Sequence, residues 1–433
     1  MKPTVLVVTT TRWFPTARLA MALAKAGFMV KALCPSGHPL GKTGAVKEIY
    51  TYRGLAPLAS FASAIPEAQP DMIIPGDDLA THHLHEMYHR KNSAGKAGEA
   101  IRALIERSLG SPESFAVVYA RTKFIELAHE EGIRVPRTET IANLEGLGKW
   151  IASRGLPTAL KTDGSSGGDG VRIVHTTEEA ERAFRSLSHP PLLARAAKRA
   201  LINRDTTLVW PSLLRRRPIV NAQAFVPGRE ATTTVACWKG NVLAALHFEV
   251  LSKVDSTGHA TVMRLIEDAE MSAATEKMVR RLNLSGVHGF DFMREAQTGN
   301  AYLIEMNPRT TQVGHLALGP GRDLPAALYA TVSGEAVQPA PAVTEKDTIA
   351  LFPQEWKRDS ASPFLRSAYH DVPWESPELV LACIRRRDRK ITWHSPKAEL
   401  RNFRELFSPA HDCLTEGPPR AGWVAKQSKS RIP

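Results

Sequence analysis

VHGFDFMREAQTGNAYLIEMNPRTT occupies residues 287–311 and carries the densest signal in the chain. An apolar run (289–293), a polar turn cluster containing Gly299 (296–300) and a second apolar run (302–306) read as a β-hairpin. A turn centred near Thr298 sets Asp291 opposite Glu305 and Phe292 opposite Ile304. Side chains alternate along a strand, so Asp291, Glu305 and Asn307 share one face, while Phe290, Phe292, Ile304 and Met306 share the other. Two carboxylates opposed across strands repel each other, and a divalent cation relieves that repulsion. Two carboxylates and an amide carbonyl are hard oxygen ligands suited to Mg²⁺, which takes its remaining ligands from water and phosphate. Arg309, just beyond, is placed to meet phosphate charge. A surface hairpin with solvated acids would be the reading of a lone Asp/Glu pair. Here the opposition, the E-x-N spacing and the adjacent Pro308-Arg309 all point to one face.

The run FDFM…YLIEMNPR resembles the metal-binding end of the ATP-grasp superfamily, in which an acidic residue and E-x-N-P-R hold Mg²⁺ (or Mn²⁺) on the phosphates of ATP. Other stretches can be set against that resemblance. Residues 161–170 read KTDGSSGGDG between two apolar strands. Glycines here let backbone N–H groups converge on an anion, and Lys161 ends the preceding strand within reach of it. The strand–loop–strand setting is not a Walker A loop, which needs a following helix and G-K-[ST]. The segment resembles the glycine-rich loop of ATP-grasp enzymes, which implies nucleotide contacts from Lys161, Gly164, Ser165, Ser166, Gly167 and Gly168. By the same resemblance Lys123, in RTKFIELAHEEGIRVP, is a nucleotide-contacting lysine; otherwise it is an exposed helix lysine. NAQAFVPGRE (221–230) resembles the hinge that receives adenine, with Phe225 and Val226 near the base and Glu230 on the ribose. It departs from the family at Gln223, where Glu is usual, although an amide oxygen also accepts from an adenine amino group. Lys253 and Arg264 stand between two hairpins, either as ordinary surface charges or as cations for a γ-phosphate or acyl phosphate.

The remainder of the chain bounds the answer. Its 433 residues, 43% hydrophobic and 23% charged, suggest two or three packed units. Four scattered cysteines form no C-x-x-C, so neither a disulfide framework nor a zinc site is indicated. The opening MKPTVLVVTT is too short in apolar residues for a signal peptide, and a reduced, cytoplasmic protein is expected. The net charge of +12, with LLRRR at 213–217 and RRRDRK at 385–390, suits an anionic ligand. No nucleic-acid motif accompanies these clusters, so neither nucleic acid nor a membrane is the expected partner.

Strand (4–8), helix (17–26) and strand (28–33) imply a parallel βαβ unit without the G-x-G-x-x-G of a dinucleotide site. Asp77 and Asp78 follow a further strand (71–75), at an edge where α/β sheets place ligands, and are expected to cap the next helix. His82, His83, His85 and His89 on that helix read as a solvated face. Residues 91–112 read as a boundary or mobile connection. Together these predict an α/β and α+β chain. The resemblance implies a Rossmann-like α/β domain (1–112) ahead of a two-subdomain ATP-grasp fold (113–340). Residues 341–433 hold no recognisable role and end in a basic tail expected to be disordered.

The resemblance implies an ATP-dependent ligase that activates a carboxylate as an acyl phosphate for attack by an amine or thiol. Its cofactors would be ATP and Mg²⁺ (or Mn²⁺), its partners small-molecule carboxylate and amine substrates, and its assembly a homodimer. A kinase, a carboxylase or a non-catalytic ATP-binding regulator are the alternatives.

Overall fold

The computed structural model describes residues 2–90, 95–163, 170–189, 217–255, 258–337, 340–385 and 396–405. Three sheets organise them, and the functional elements lie where the sheets meet.

The first is wholly parallel, with β1 (Thr4–Val8), β2 (Met29–Cys34), β3 (Val46–Thr51) and β4 (Met72–Pro75) in the order β3-β2-β1-β4. The continuous apolar runs of β1 and β4 are buried on both faces, as parallel strands require. Helix α1 (Phe14–Ala26) has Pro15 in its first turn, where a missing N–H costs nothing, and stops at Gly27, whose φ of 124° few other residues tolerate. Helices α2 (Pro57–Ala68) and α3 (Asp78–His89) complete the pattern. The expected loose connection at 91–112 is instead largely α4 (Lys96–Leu109). Leu104, Ile105, Ser108 and Leu109 form its buried stripe, and Ser108 Oγ accepts from Ile73 N at 2.9 Å. The charged residues that obscured this periodicity, Lys96, Glu99, Glu106 and Arg107, lie on its outer side.

The second sheet is antiparallel: β5 (Thr138–Ile141), β6 (Thr158–Thr162), β7 (Val171–Val174) and β8 (Val220–Ala224) in the order β5-β8-β6-β7. Helix α5 (Arg121–Glu130) leads into it. Helices α6 (Leu144–Arg154) and α7 (Thr177–Ser188) cover one face around Trp150, Leu160, Phe184 and Ala222. Lys161, Asn221 and Gln223 alternate with those core residues and so belong to the opposite face.

The third sheet has seven strands: β9 (Gly228–Trp238), β10 (Asn241–Lys253), β11 (Ala260–Leu265), β12 (Gly286–Glu295), β13 (Ala301–Asn307), β14 (Thr348–Ala350) and β15 (Tyr369–His370), ordered β13-β12-β9-β10-β11-β14-β15. Helix α8 (Ala269–Arg281) packs one face through Phe290, Phe292 and Leu303. Helix α9 (Leu324–Ser333) and α1 cover the other, over Leu246, Phe248 and Met263. The described residues beyond 340 are therefore structural: they supply β14 and β15 and most of a core around Phe352, Trp356, Val380 and Phe403 that also takes in Val262 of β11. No described helix is long and apolar enough to cross a membrane.

Candidate functional site

The hairpin of β12 and β13 pairs Gly289 with Asn307, Phe290 with Met306 and Asp291 with Glu305, as the sequence predicts. Beyond Asp291 a bulge intervenes, and Phe292 faces Leu303 instead of Ile304. The extra residue shifts the alternation by one, so Leu303 is fully buried with Phe292 while Ile304 is only half-buried. The bulge lies on the turn side of the carboxylates, and their shared face survives it.

Each carboxylate is gripped. Asp291 accepts from Thr232 Oγ1 and from Asn307 Nδ2, both at 2.8 Å. Glu305 Oε2 lies 2.9 Å from Arg121. Burial, then the charge of Glu305, pushes the Asp291 carboxyl above the usual range. Burial acts the same way on Glu305, but Arg121 and Lys161 outweigh it and hold that group ionised. Lys161, 6% exposed, is brought down to about 8 by burial and by Arg121, with Glu305, Asp291 and Glu230 pulling the other way. Two cations from one sheet's side thus converge on two carboxylates of another.

Arg121 was not singled out in the sequence, where Lys123 was. The helical period carries the signal: Arg121 shares a face with the buried Phe124, Ile125 and Ala128, whereas Lys123 points outward and is exposed. Gln223 is buried and donates to Thr138 Oγ1 at 3.0 Å. Asn221 donates to Asp163 Oδ1 at 2.7 Å and accepts from Thr122 and Thr140. At the turn into β9, Val226 is buried and Phe225 is exposed. Glu230 stands two residues before Thr232 on the face that carries Asp291, and Lys253 Nζ meets it at 2.6 Å. Gly164, Ser165, Ser166, Gly167 and Gly168 lie outside the described residues; Thr162 N donates to Gly170 O at 3.0 Å where the strands on either side rejoin.

Arg264 does not join the group. It pairs with Glu249, which pairs with Ala231, and these residues alternate with Thr232 and Asp291. The strand period therefore sends Arg264 to the α8 face, where Glu249 gathers Arg229, Arg264 and Arg294.

Arg309 is fixed from four sides. It donates to Asn307 Oδ1 (3.1 Å), Thr310 O (3.0 Å) and Asp78 Oδ2 (3.3 Å), and its guanidinium lies 5.3 Å from the centre of the Trp13 ring. The ligand edge of the parallel sheet supplies two of these partners. Asp77 caps α3 through Ala80 N, as expected, and also accepts from Thr9 Oγ1 and from the backbone of Thr10 and Thr11, which fixes the loop leading to Trp13. Asp78 is not the cap; it is the ion partner of Arg309.

The histidines of α3 differ from expectation. His82 and His89 are exposed, but His83 and His85 are buried, His83 3.3 Å from Tyr52 Oη and His85 stacked on Phe115 at 3.7 Å. Burial lowers them to about 4 and about 3, so both are neutral near pH 7. An imidazole stacked on phenyl is a core residue, and sequence spacing does not separate it from a solvated one. Among the described residues no cluster of three or more His, Cys, Asp or Glu forms to hold a metal. Asp291 and Glu305 fit one, as hard oxygen ligands opposed across two strands; Asn307 presents Nδ2 to Asp291 and Oδ1 to Arg309, so its amide must turn over to complete an all-oxygen set.

The ATP-grasp domain family matches residues 206–313, which include the hairpin. A carbamoyl phosphate synthase large chain from Methanosphaerula palustris is 27% identical over 215 residues, 48% of this chain but only 18% of that protein's length. Among solved structures, N5-carboxyaminoimidazole synthetase from Staphylococcus aureus complexed with ADP superposes with a TM-score of 0.54 at 15% identity, covering 78% of this chain and 79% of that one. The biotin carboxylase domain dimer of the Hydrogenobacter thermophilus 2-oxoglutarate carboxylase, in complex with MgADP, ADP and bicarbonate, gives 0.52 at 16% identity over 79% of this chain and 72% of that one. The ATP-grasp domain match over residues 206–313 takes in the opposed Asp291 and Glu305 and the E-x-N-P-R end of the hairpin, and the fold is shared with these solved structures.

Proposed function

We propose that the protein is an ATP-dependent ligase that activates a carboxylate for attack by an amine. The observation that carries this reading is the convergence of Lys161 and Arg121 on the opposed pair Asp291 and Glu305. Phosphoryl transfer asks a protein mainly for position and charge balance, and this arrangement offers both. Asp291, Glu305 and Asn307 would hold Mg²⁺, which when bound draws charge from the phosphates. Lys161 and Arg121 lie beside that place and balance phosphate oxygens. The adenine would sit against the β8–β9 turn, where Gln223 has an amide oxygen to offer and Phe225 a ring. Glu230, drawn toward Lys253, would take the ribose hydroxyls.

The γ-phosphoryl group passes to a carboxylate oxygen, giving ADP and an acyl phosphate. The amine then attacks the acyl carbon and expels phosphate. Arg309, between the hairpin and the parallel sheet, is the cation placed to steady the acyl phosphate. The ADP and the MgADP in the two structural neighbours support the choice of nucleotide and metal. The test is ADP and phosphate release from ATP and Mg²⁺ across amino acids and other small carboxylates, each with and without amines. Release that needs both partners is the expected result. Release with bicarbonate as the sole carboxyl donor would make it a carboxylase, and nucleotide binding without release under any pairing would overturn the ligase reading.

A further inference from the structure

The segment that follows the ATP-grasp domain touches the site's two supports from behind. Asp371, just past β15, is 1% exposed and has its backbone N–H fixed on Ala350 O of β14 at 3.0 Å. One carboxylate oxygen takes Arg18 Nη2 of α1 at 2.5 Å. The other meets His315 Nε2 at 2.6 Å, six residues after Arg309 on the loop that leaves the hairpin. A buried carboxylate with a guanidinium on one oxygen and an imidazole on the other is a rigid joint, because without it Arg18 keeps only the exposed Glu375, 3.2 Å from its Nη1, and His315 loses its carboxylate.

The same two elements meet a second time at the cleft. Trp13 is the residue that opens α1, and its ring lies on the guanidinium of Arg309. Arg18 follows Trp13 by roughly 7 Å along the helix axis. Phe14 and Arg18 are four apart and so share a helix face, and both are held by the late segment, Phe14 edge-on against Phe352 at 5.7 Å. The loop is held likewise, for Val343 N donates to Ala317 O at 2.9 Å. We infer that Asp371 is a positioning residue: by clamping Arg18 to His315 it sets the Trp13 ring against the Arg309 guanidinium, and so fixes the cation that faces the acyl phosphate.

The functional meaning of that clamp rests on the ligase reading of Arg309, whereas its geometry does not. The experiment therefore reads geometry first. The full chain is labelled with 5-fluorotryptophan, and the ¹⁹F lines of Trp13 and Trp150 are assigned from Trp13→Phe and Trp150→Phe. Asp371→Asn is expected to shift or broaden the Trp13 line and leave that of Trp150, in the core of the second sheet, in place. Asp371→Glu is expected to restore most of the Trp13 position. Val380→Ala loosens the same late core without touching Asp371, and is expected to leave the Trp13 line unmoved.

An unmoved Trp13 line in folded Asp371→Asn would overturn the proposal. So would an equal shift from Val380→Ala, which marks a merely structural role. If Asp371→Asn does not fold, His315→Gln is read the same way, with a Trp13 shift expected and its absence decisive against the clamp. ADP release by Asp371→Asn and His315→Gln is expected to fall about ten-fold or more, since a small misplacement near the chemistry is costly. A Trp13 shift without any substrate-dependent ADP release in the parent chain would uphold the clamp and count against the ligase reading alone.

Discussion

Asp291 and Glu305 face each other because strand register puts them there, and their ionisation follows from what surrounds them. Glu305 is the one kept charged, by Arg121 and Lys161. Glu305→Gln is nearly isosteric and removes that charge, so Mg²⁺-dependent turnover should fall by about 10²–10³ or more with the thermal midpoint little changed. Normal activity in a steady-state assay of that variant would refute the metal assignment. Lys161 gives a pH signature. With its free-enzyme value at about 8, kcat/KM for ATP should decline as pH rises through 8, because the cation proposed to meet phosphate is lost. Lys161→Arg should abolish that limb. Stability moves oppositely: the unfolded lysine, near 10.4, binds more protons between pH 8 and 10, so the fold gains there as pH rises. The histidines of α3 teach a limit of sequence reading at this scale, since His83 and His85 are hidden by Tyr52 and Phe115, which come from distant parts of the chain.

At the scale of elements, the hairpin was legible because its turn and its apolar runs fix a register. Its bulge was not, because nothing in the alternation of AYLIE (301–305) marks where one strand gains a residue, and so Leu303 and Ile304 exchanged places. The same period explains Arg264, for which proximity in sequence misled and strand parity decided. It also explains Arg121, which helix parity would have selected over Lys123. Helix α4 was missed because its apolar stripe is short and its outer face is rich in small and charged residues. Gly289 offers a direct test of how closely the elements fit. A Cβ there would lie 2.5 Å from Thr311 Cγ2 and 3.4 Å from Asn307 Cβ. Gly289→Ala must therefore displace Thr311 and press on Asn307, with an expected loss of about 1–3 kcal/mol in stability. Calorimetric titration with Mg²⁺ and ADP should show weaker binding, and unchanged binding with an intact thermal midpoint would mean the loop yields freely.

Over the whole molecule, the parallel sheet and the hairpin that carries Asp291 and Glu305 could be anticipated from patterns within short windows. The role of the described residues after 340 could not, since it consists of contacts across hundreds of positions. Asp371 is the clearest of these, and it has a pH consequence. Burial alone would raise its carboxyl, but Arg18 and His315 more than offset this and bring it to about 2. The stability it contributes is complete above the unfolded value near 4 and is lost as pH falls from 4 towards 2, a term on the order of 2 kcal/mol. Thermal midpoints at pH 5, 4 and 3 should fall more steeply for the parent chain than for Asp371→Asn. Parallel slopes would show that Asp371 is not held in its charged form.

That long reach also has a history in time. Arg18 and its carboxylate are 353 positions apart in the chain. At a synthesis rate of roughly 5–20 residues per second, α1 waits on the order of 20–70 s for its counter-charge to be made. During that interval the amino-terminal helix carries a guanidinium destined for the interior with nothing to neutralise it, and its docking onto the strands beneath is correspondingly weak. Nascent chains halted before Asp371 should be cut readily within α1 by proteases that spare it once Asp371 has emerged and folded. The last third of the polypeptide thus completes the first.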